Sequence, residues 1–374
     1  MLNLLASTLV CPKQVLHKND GLSYISQLPA KKIAIIASER SSSSYKQIGK
    51  IINDKKRLDA KLIIPEWKNE PSLKEIIETL PKLHEFKPDW IVAIGGGSII
   101  DGAKIAWALY EHPNFDTSRL SIPFSLPSMR IKAKFVAIPT TAGTGSETSS
   151  SAILSNGHTK VPVVTHDFIP DLAILDPTLL KDIPIKVLVP SMLDALSHSL
   201  EGFVSKVENT IVNNLACHAI NNINIAFSKL IDNSSYQDNA LIGAFFSGIV
   251  QNVNVVGPAH ALAHNIGTIP HGLATGLFLP EVIRINCMKN PDMKKNYNLS
   301  LNSTSIKDIE QFMDDIYNEY LPALGISQKI SDHVKLDEDE FSIYAKSAAE
   351  DKLNRFFPEP YTSSDFMKIL NNSC

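Results

Sequence analysis

Four histidines and one aspartate in the second half of the chain have the types and spacing of a metal-binding site. Asp194 and His198 are four residues apart in a segment with a helix-like apolar pattern, and residues i and i+4 lie on one face of a helix. A carboxylate and an imidazole placed in this way can bind one divalent ion and leave positions for further nitrogen ligands. The later run from Pro258 to Gly272 offers three candidates for those positions: His260, His264 and His271.

Each of these histidines alone could equally be a polar residue that caps a helix or packs near the surface. The surroundings argue against this for the set, because the neighbouring residues are apolar and uncharged. A buried imidazole needs a partner, and a single metal ion supplies one to several side chains at once. The pattern therefore predicts a metal site in this half of the chain.

Three glycines and a serine, Gly95–Ser98, form a second informative stretch, here called the glycine loop. It directly follows an apolar run, Asp89–Ile94, and precedes a helical pattern over Ile99–Leu109. Glycines let the backbone turn tightly and bring N–H groups close to an anion, and the start of a helix adds partial positive charge. The stretch predicts a phosphate-binding turn. Asp101 and Lys104 follow on the helix, and by themselves they indicate a surface ion pair.

A loop rich in threonine and glycine, Pro139–Glu147, follows the apolar run Phe135–Ile138 in the same way and is here called the Thr/Gly loop. Its small hydroxyl groups suit a ribose, a diphosphate or the edge of a nicotinamide. A helix N-cap made by Thr144 or Ser146 is an alternative that is compatible with this interpretation. Neither loop is a Walker A motif or the GxGxxG of a standard Rossmann fold.

The elements that must position these loops alternate between strand and helix in the first half of the chain. A helical pattern over Ser72–Phe86 lies among the predicted strands, which are Lys32–Ser38, Lys61–Ile64, Asp89–Ile94, Phe135–Ile138 and Leu172–Leu175. Strand and helix alternating at this pace predict a parallel sheet with right-handed crossovers.

Helical patterns dominate after Val187. The predicted helices are Leu193–Val204, Ile211–Leu230, Ala240–Val253, Ile306–Tyr320 and Phe341–Phe356, and the asparagine-rich stretch Asn290–Lys307 predicts a loop. The change in character predicts an α/β domain over residues 1–184 and a helical domain over residues 185–374.

Composition and charge exclude several classes of protein. The chain has 374 residues with a formal net charge of −3 and no basic stripe, so nucleic acid is not expected as a partner. Its four cysteines are widely spaced and form no CxxC, which indicates thiols in a reducing compartment. The apolar start, Met1–Val10, is too short to span a bilayer and lacks a basic segment. We expect a cytoplasmic protein.

Taken in order, these motifs resemble the iron-containing (group III) alcohol dehydrogenases of the dehydroquinate synthase-like superfamily. The resemblance covers about residues 15 to 285 and rests on Gly95-Gly-Gly-Ser-x-x-Asp101-x-x-Lys104, Pro139-Thr-Thr-Ala-Gly-Thr-Gly-Ser-Glu147, Asp194-Ala-Leu-Ser-His198 and His260-x3-His264-x6-His271-Gly272. It implies a dehydroquinate synthase-like fold: an α/β N-terminal dinucleotide-binding domain and an all-α C-terminal metal-binding domain.

The resemblance also implies roles for individual residues. Asp194, His198, His260 and His271 match the metal ligands of the family, and His264 matches a histidine near the nicotinamide that is proposed to move protons. The implied contacts of the dinucleotide are Gly95, Gly96, Gly97, Ser98, Asp101, Thr140, Thr141, Thr144, Ser149, Ser151 and Lys160.

The implied activity is an NAD(P)-linked alcohol dehydrogenase or aldehyde reductase. A cation held by imidazoles and a carboxylate polarises a carbonyl or lowers the pKa of an alcohol, so that hydride can pass between substrate and nicotinamide. These ligands suit Fe(II) or Zn(II). The family usually carries an aspartate after the first strand, but here Ser38 and Glu39 precede Arg40. Loss of the carboxylate at Ser38 admits NADP, whereas Glu39 on the ribose favours NAD.

Two departures from the family bear on the substrate. Gln251 stands where the family often has an aromatic residue, and three serines, Ser149–Ser151, follow the Thr/Gly loop. We therefore hypothesise a polar aldehyde as substrate, with helix packing or a subunit contact as the other explanation of these side chains. A metal- and NAD-dependent lyase or cyclase of the dehydroquinate synthase type is the alternative activity, and a non-catalytic sensor is a second alternative. We expect a homodimer and no membrane partner.

Overall fold

The first half of the chain builds a six-stranded sheet in which every pairing is parallel, in the order β1-β8-β5-β4-β2-β3. The computed structural model describes residues 8–39, 41, 46–53, 58–67, 70–156, 159–207, 209–266 and 269–374. The strands are β1 (Gln14–His17), β2 (Lys32–Ala37), β3 (Asp59–Ile63), β4 (Trp90–Gly95), β5 (Lys134–Pro139), β6 (Ser151–Asn156), β7 (Thr159–Val164) and β8 (Leu172–Leu175). The five strands predicted from apolar runs and their parallel arrangement are confirmed.

Strands β1, β6 and β7 were not predicted, and the exposure of their side chains explains why the sequence did not indicate them. β1 lies at the edge of the sheet and is largely exposed, so its four residues form no apolar run. β6 and β7 form a separate antiparallel pair, in register from Ser151↔Val164 to Asn156↔Thr159. Serine and asparagine in β6 hid the alternation of buried and partly exposed residues that marks such a strand.

Helices cover both faces of the six-stranded sheet. These are α1 (Lys46–Asn53), α2 (Leu73–Phe86) and α3 (Gly97–Glu111), with short 3₁₀ helices at Gly21–Gln27, Thr117–Arg119, His166–Phe168 and Pro177–Leu180. Alternate residues of β2 enter two different cores. Ala34 and Ile36 pack with residues of α2 and α3, whereas Ile33 and Ile35 pack with residues of α1.

The second half of the chain is helical. Its helices are α4 (Ile185–Phe203), α5 (Thr210–Ile231), α6 (Gln237–Asn254), α7 (Pro258–Ala263), α8 (His271–Lys289), α9 (Asp292–Ser300), α10 (Ile309–Asp314), α11 (Leu321–Ala323), α12 (Glu338–Glu350) and α13 (Ser363–Ser373), with a π-helical stretch at Asp315–Tyr320 and 3₁₀ helices at Ile330–Asp332 and Lys352–Phe356. Among the described residues, no helix is both long and apolar enough to cross a bilayer.

The predicted loop over Asn290–Lys307 is wrong for half of its length, because Asp292–Ser300 forms helix α9. This helix buries Met293, Tyr297 and Ser300 and leaves its asparagines and lysines outside. Three buried positions in a polar segment are too few to produce an apolar period, so the composition alone indicated a loop.

The chain divides into two compact units. The sheet unit contains Val10–Thr141 and Gly145–Asp182, and the helical unit contains Ile183–Cys374 together with the three residues Ala142–Thr144. The short middle segment of the Thr/Gly loop therefore packs with the helices, although the residues on either side of it belong to the sheet unit.

Candidate functional site

The helical unit brings Asp194, His198, His260 and His271 together. The Oδ1 atom of Asp194 lies 3.8 Å from Nε2 of His198, 3.6 Å from Nε2 of His260 and 3.9 Å from Nε2 of His271. Three of these side chains are buried, and that of His271 is 25% exposed. The arrangement thus has a protected carboxylate at its centre and one histidine with access to solvent.

These distances fit a shared metal ion better than hydrogen bonds. They exceed the range of a hydrogen bond and lie at or slightly above the roughly 3 to 3.6 Å that separates donors bound to one ion at about 2.0–2.2 Å. The ligand atoms of Asp194, His260 and His271 all lie within 4.8 Å of one another. Nε2 of His260 is buried and has no hydrogen-bond partner among the described residues. A buried imidazole nitrogen that faces a carboxylate needs a cation or a proton as its partner, so the residues fit the group that their types predict.

Close contact between α4 and α8 places His271 beside Asp194. A Cβ atom on Gly272 would lie 2.3 Å from the carbonyl oxygen of Pro190 and 2.8 Å from Cβ of Asp194. One turn later, a Cβ atom on Gly276 would lie 2.6 Å from Cβ of Leu193. Only residues without a side chain allow the two helices to approach so closely, and this approach brings the start of α8 to the carboxylate.

Glu201 holds His260, and it was missed in the sequence. It is fully buried on α4, and its Oε2 atom lies 2.6 Å from Nδ1 of His260. The same carboxylate accepts the backbone N–H groups of Gly257 at 3.1 Å and Ala259 at 2.7 Å. A carboxylate on the outer nitrogen of a ligand histidine fixes its tautomer and orientation. Glu201 follows Asp194 by seven residues, two helical turns, and this spacing was the signal available in the sequence.

The pKa values of the cluster follow from burial and from the facing charges. Burial lowers the pKa of His198 to about 4 against the opposing charge of Asp194, so this imidazole is neutral at pH 7 and can act as a ligand. Burial also disfavours charge on His260, but the carboxylates of Asp194 and Glu201 outweigh it and raise the pKa to about 9. Burial opposes ionisation of Asp194, yet the surrounding histidines hold its pKa well below the ordinary value. The site favours a positive charge next to Asp194.

His264 lies beside this cluster and is more exposed than the buried ligands. Its ring centroid is 5.5 Å from that of His271, with the rings 13° from parallel, and 6.5 Å from that of His260. Its Nδ1 atom lies 3.5 Å from Oδ2 of Asp351, and 36% of its side chain is exposed. An accessible imidazole next to a carboxylate can exchange protons with a substrate.

The glycine loop sits at the end of β4, as predicted. Gly95 is buried, and a Cβ atom on it would come within 2.6 Å of Ile99, so the turn depends on this glycine. Gly96, Gly97 and Ser98 are partly exposed, and the first amides of α3 have no side-chain cap among the described residues. Uncapped amides at a helix start are suited to an anion.

The Thr/Gly loop adjoins the glycine loop. Gly95 pairs with Pro139 in the sheet, and the N–H of Thr140 donates to the carbonyl of Gly95 at 3.0 Å. Thr141 lies in ordinary contact with the position of a Cβ atom on Gly96, at 3.4 Å. The alternative that Thr144 or Ser146 caps a helix is wrong, because the loop continues through turns into β6.

Asp101 and Lys104 do not form the surface ion pair that their spacing alone indicated. Both are buried, Lys104 completely. Oδ2 of Asp101 accepts the N–H of Ile153 at 3.0 Å, while Oδ1 is buried with no hydrogen-bond partner among the described residues. Burial raises the pKa of this carboxyl group.

Other predicted cofactor contacts bind neighbouring residues. Ser38 donates its hydroxyl hydrogen to Oγ of Ser41 at 2.8 Å and accepts the N–H of Ser41 at 3.1 Å, while Glu39 is exposed. Arg40 and Ser42–Ser44, on which the NADP argument also relies, lie outside the described residues.

The serines after the Thr/Gly loop and Lys160 also have protein partners. The hydroxyls of Ser149 and Ser151 lie 2.8 Å apart, and Oγ of Ser149 accepts the N–H of Ser151 at 2.9 Å. Nζ of Lys160 is 2.6 Å from a carboxylate oxygen of Glu70. Any contact that these side chains make with a dinucleotide must add to these bonds or replace them.

Comparison with known proteins gives a consistent result. Residues 12–177 match the model of iron-containing alcohol dehydrogenase, and residues 188–374 match that of the Fe-containing alcohol dehydrogenase family, C-terminal. An NADPH-dependent butanol dehydrogenase of Clostridium saccharobutylicum is 29% identical over 74% of this chain and 73% of its own. An alcohol dehydrogenase of Thermococcus barophilus is 30% identical over 90% and 91%. The structure of an iron-containing alcohol dehydrogenase from Thermococcus thioreducens aligns with a TM-score of 0.89 and 26% identity, over 98% of this chain and 99% of that one.

Proposed function

We propose that Asp194, His198, His260 and His271 bind the metal ion of this chain, which belongs to the iron-containing alcohol dehydrogenase family and is a metal-dependent oxidoreductase acting on CH–OH groups. The observation that carries the proposal is the convergence of three imidazole nitrogens on one carboxylate oxygen at 3.6–3.9 Å. When bound, the cation polarises the carbonyl of an aldehyde or lowers the pKa of an alcohol.

The remaining residues of the cluster position groups and move a proton. Glu201 holds His260 through Nδ1, and Thr275 donates its hydroxyl hydrogen to Oδ1 of Asp194 at 3.2 Å. His264 exchanges the proton of the substrate hydroxyl, and Asp351, 3.5 Å from its Nδ1 atom, orients it. A bound nicotinamide dinucleotide, NAD or NADP, would donate hydride to the substrate carbon or accept hydride from it.

The dinucleotide binds at the glycine loop and the Thr/Gly loop. The uncapped amides of α3 suit its diphosphate. The buried Oδ1 atom of Asp101 accepts a hydrogen bond from a donor group elsewhere in the dinucleotide. Glu39 and Ser38 decide between the two dinucleotides. Exposed Glu39 favours NAD, because a carboxylate there would repel a 2′-phosphate.

A turnover assay tests the proposed function. The purified chain is loaded with Fe(II) or Zn(II) and mixed with aldehydes and either NADH or NADPH, and the loss of absorbance of the reduced cofactor is followed. We expect net oxidation of the cofactor, and no turnover in His260→Ala, which loses a ligand. The family favours iron, whereas the ligand set alone would bind zinc more tightly. Turnover that persists after exhaustive chelation would contradict the proposal.

The same assay separates a dehydrogenase from a lyase or cyclase. A lyase reoxidises its nicotinamide within each cycle, so it would convert substrate without a net change in absorbance. The family match favours the dehydrogenase.

A polar aldehyde is the proposed substrate class, and the structure narrows what Gln251 can contribute. Its amide nitrogen donates one hydrogen bond to the carbonyl of Thr144, so only the rest of the amide group can contact a substrate. The amide nitrogen of Asn254 is also occupied, since it donates to the carbonyl of Gly202 and to Oδ1 of Asn213, whereas the buried Oδ1 atom of Asn254 has no hydrogen-bond partner among the described residues. If Gln251→Phe raises activity on butanol and leaves polar aldehydes unaffected, the polar pocket is supported; an unchanged preference would count against it.

Three further proposals are independent of the metal site. They are a homodimer, a cytoplasmic location and a boundary between the dinucleotide-binding and metal-binding domains after residue 184. Sedimentation of the purified chain, localisation of a tagged chain and limited proteolysis test them in turn.

A further inference from the structure

Lys104 is a fully buried lysine that the proposed chemistry does not use. Its side chain has no exposed surface, which is rare for lysine unless its charge is paired. Nζ donates to the backbone carbonyl of Ser149 at 2.7 Å and to that of Ser151 at 3.1 Å. An ammonium group thus lies inside the sheet unit and binds main-chain oxygens.

Two buried carboxylates accompany this ammonium. Asp101 lies three residues earlier on the same face of α3, and Glu147 ends the Thr/Gly loop. Burial lowers the pKa of Lys104 to about 8 against the charges of both carboxylates, and burial raises the pKa of Glu147 to about 7. These three buried side chains, which act on one another through space, are here called the internal charge cluster.

The cluster joins α3 to a single extended segment. Lys104 binds the carbonyls of Ser149 and Ser151, and Asp101 binds the N–H of Ile153. These three backbone positions are two residues apart, as expected when one side of an extended chain faces the helix. Along residues 149–153, side chains of α3 therefore make hydrogen bonds that a neighbouring strand would otherwise make.

Both predicted dinucleotide loops are continuous with the joined elements. The glycine loop leads into α3 at Gly97, seven residues before Lys104, and the Thr/Gly loop ends at Glu147, two residues before Ser149. At their other ends the loops are held by the pairing of Gly95 with Pro139 between β4 and β5. With Lys104 in place, each loop is fixed at both of its ends.

We propose that Lys104 is a positioning residue for the dinucleotide: its buried ammonium fixes the backbone at Ser149 and Ser151 to α3 and thereby holds the glycine loop and the Thr/Gly loop in one geometry. This inference rests on the proposed function, because it assigns the two loops to a nicotinamide dinucleotide. Loss of the ammonium removes the side-chain donor of the buried Ser149 carbonyl and leaves the Ser151 carbonyl with the hydroxyl of Ser149 as its side-chain donor, so the segment shifts to find other partners.

Dinucleotide titrations of matched variants test the role. Lys104→Met keeps the length and removes the donors, Lys104→Gln keeps an N–H donor without the charge, and Lys82→Met changes an exposed lysine on α2. NADH and NADPH binding is measured by fluorescence on each metal-loaded protein. We expect the Kd of the dinucleotide to rise about tenfold or more in Lys104→Met, less in Lys104→Gln, and not in Lys82→Met.

Two readouts separate positioning from general loss of structure. The Kd of Co(II), followed by its absorption, should stay within about twofold of wild type in Lys104→Met, because the metal ligands are in the helical unit and share no hydrogen-bond partner with Lys104. Amide hydrogen exchange of residues 139–151 should speed up in this variant and not in Lys82→Met.

Four results would decide against the proposal or its premise. Wild-type dinucleotide affinity in Lys104→Met overturns the inference, as does a loss that is matched by an equal loss of Co(II) affinity. If Lys104→Met fails to fold, wild-type affinity in Lys104→Gln overturns it instead. A wild-type protein that binds Co(II) but neither dinucleotide refutes the proposed function and not the role of Lys104 in the fold.

Discussion

At the scale of single residues, the metal cluster depends on a carboxylate that does not touch the metal position. Glu201 binds Nδ1 of His260 and the two N–H groups of the turn before it. With three donors around one carboxylate, no neutral side chain of the same shape can satisfy them all. His260 therefore keeps Nε2 aimed at Asp194 only while Glu201 carries a full carboxylate.

Glu201→Gln should weaken metal binding without unfolding the chain. The amide group of glutamine presents a donor to at least one of the three N–H groups, so His260 loses its fixed orientation. We expect the metal Kd to rise by about 10- to 100-fold, measured by competition with a chromophoric chelator. Glu310→Gln, a change of an exposed glutamate in the helical unit, is the control. Equal affinity in the two variants would show that Glu201 does not position His260.

At the scale of elements, two glycines one turn apart set the distance between α4 and α8. The contact of Gly272 with Pro190 and that of Gly276 with Leu193 leave no room for a methyl group. Asp194 lies on α4 and His271 begins α8, so the distance between the two helices sets the distance between these two side chains.

Gly272→Ala should therefore reduce both stability and metal affinity. The added methyl group would lie 2.3 Å from a backbone oxygen, so α8 must move away from α4. Overpacking of this kind costs about 1–3 kcal/mol, measured by denaturant unfolding, and metal affinity is measured in parallel. Gly49→Ala on α1 is the matched control, because its Cβ would meet nothing within 4 Å and alanine favours a helix. A stable Gly272→Ala with unchanged metal affinity would refute the argument.

The elements that the sequence predicted are those whose burial leaves a continuous or periodic apolar pattern. Strands β2, β4 and β5 are buried along nearly their whole length and were found. Strand β1 and helix α9 were not found, because most of their residues face solvent. Asp194 and His198, at i and i+4 on α4, were predicted for the same reason, because their spacing follows the helical period. The role of Glu201 and the burial of Lys104 were not predicted, because they depend on contacts between segments that are far apart in the sequence.

At the scale of the whole molecule, the two units differ in the charged groups that they bury. The helical unit places its carboxylate among histidines at the metal cluster, whereas the sheet unit buries Asp101, Lys104 and Glu147. The sheet unit should therefore contribute a pH dependence of stability that does not depend on metal.

Replacement of Glu147 should remove a defined part of the pH dependence of stability. Burial raises the pKa of Glu147 from 4.5 to about 7, so between these values the folded state holds a proton that the unfolded state has released. Stability from this group therefore falls as pH rises from about 4.5 to 7. Glu147→Gln does not titrate, so the difference in unfolding free energy, variant minus wild type, should increase over this window in urea titrations. A constant difference would mean that Glu147 is ionised in the folded state throughout.

Chelation should lower the thermal midpoint of the chain. A ligand that binds only the folded state at 100 times its Kd stabilises by about 2.7 kcal/mol. Differential scanning calorimetry with and without chelator measures the effect, and His198→Ala serves as a control that should respond little. An unchanged midpoint in the wild type would contradict a metal site built by the fold.

The membership of Ala142–Thr144 in the helical unit has a practical consequence for dissecting this protein. Their packing partners, among them Ser191 against Gly143 and Gln251 on the carbonyl of Thr144, come much later in the chain. A gene cut after Asp182 would thus yield a fragment whose cofactor loop lacks its neighbours, and the complementary fragment would lack a piece of its own interior. Two separately expressed halves will therefore recover activity only if Ala142–Thr144 of the first half packs into the second half.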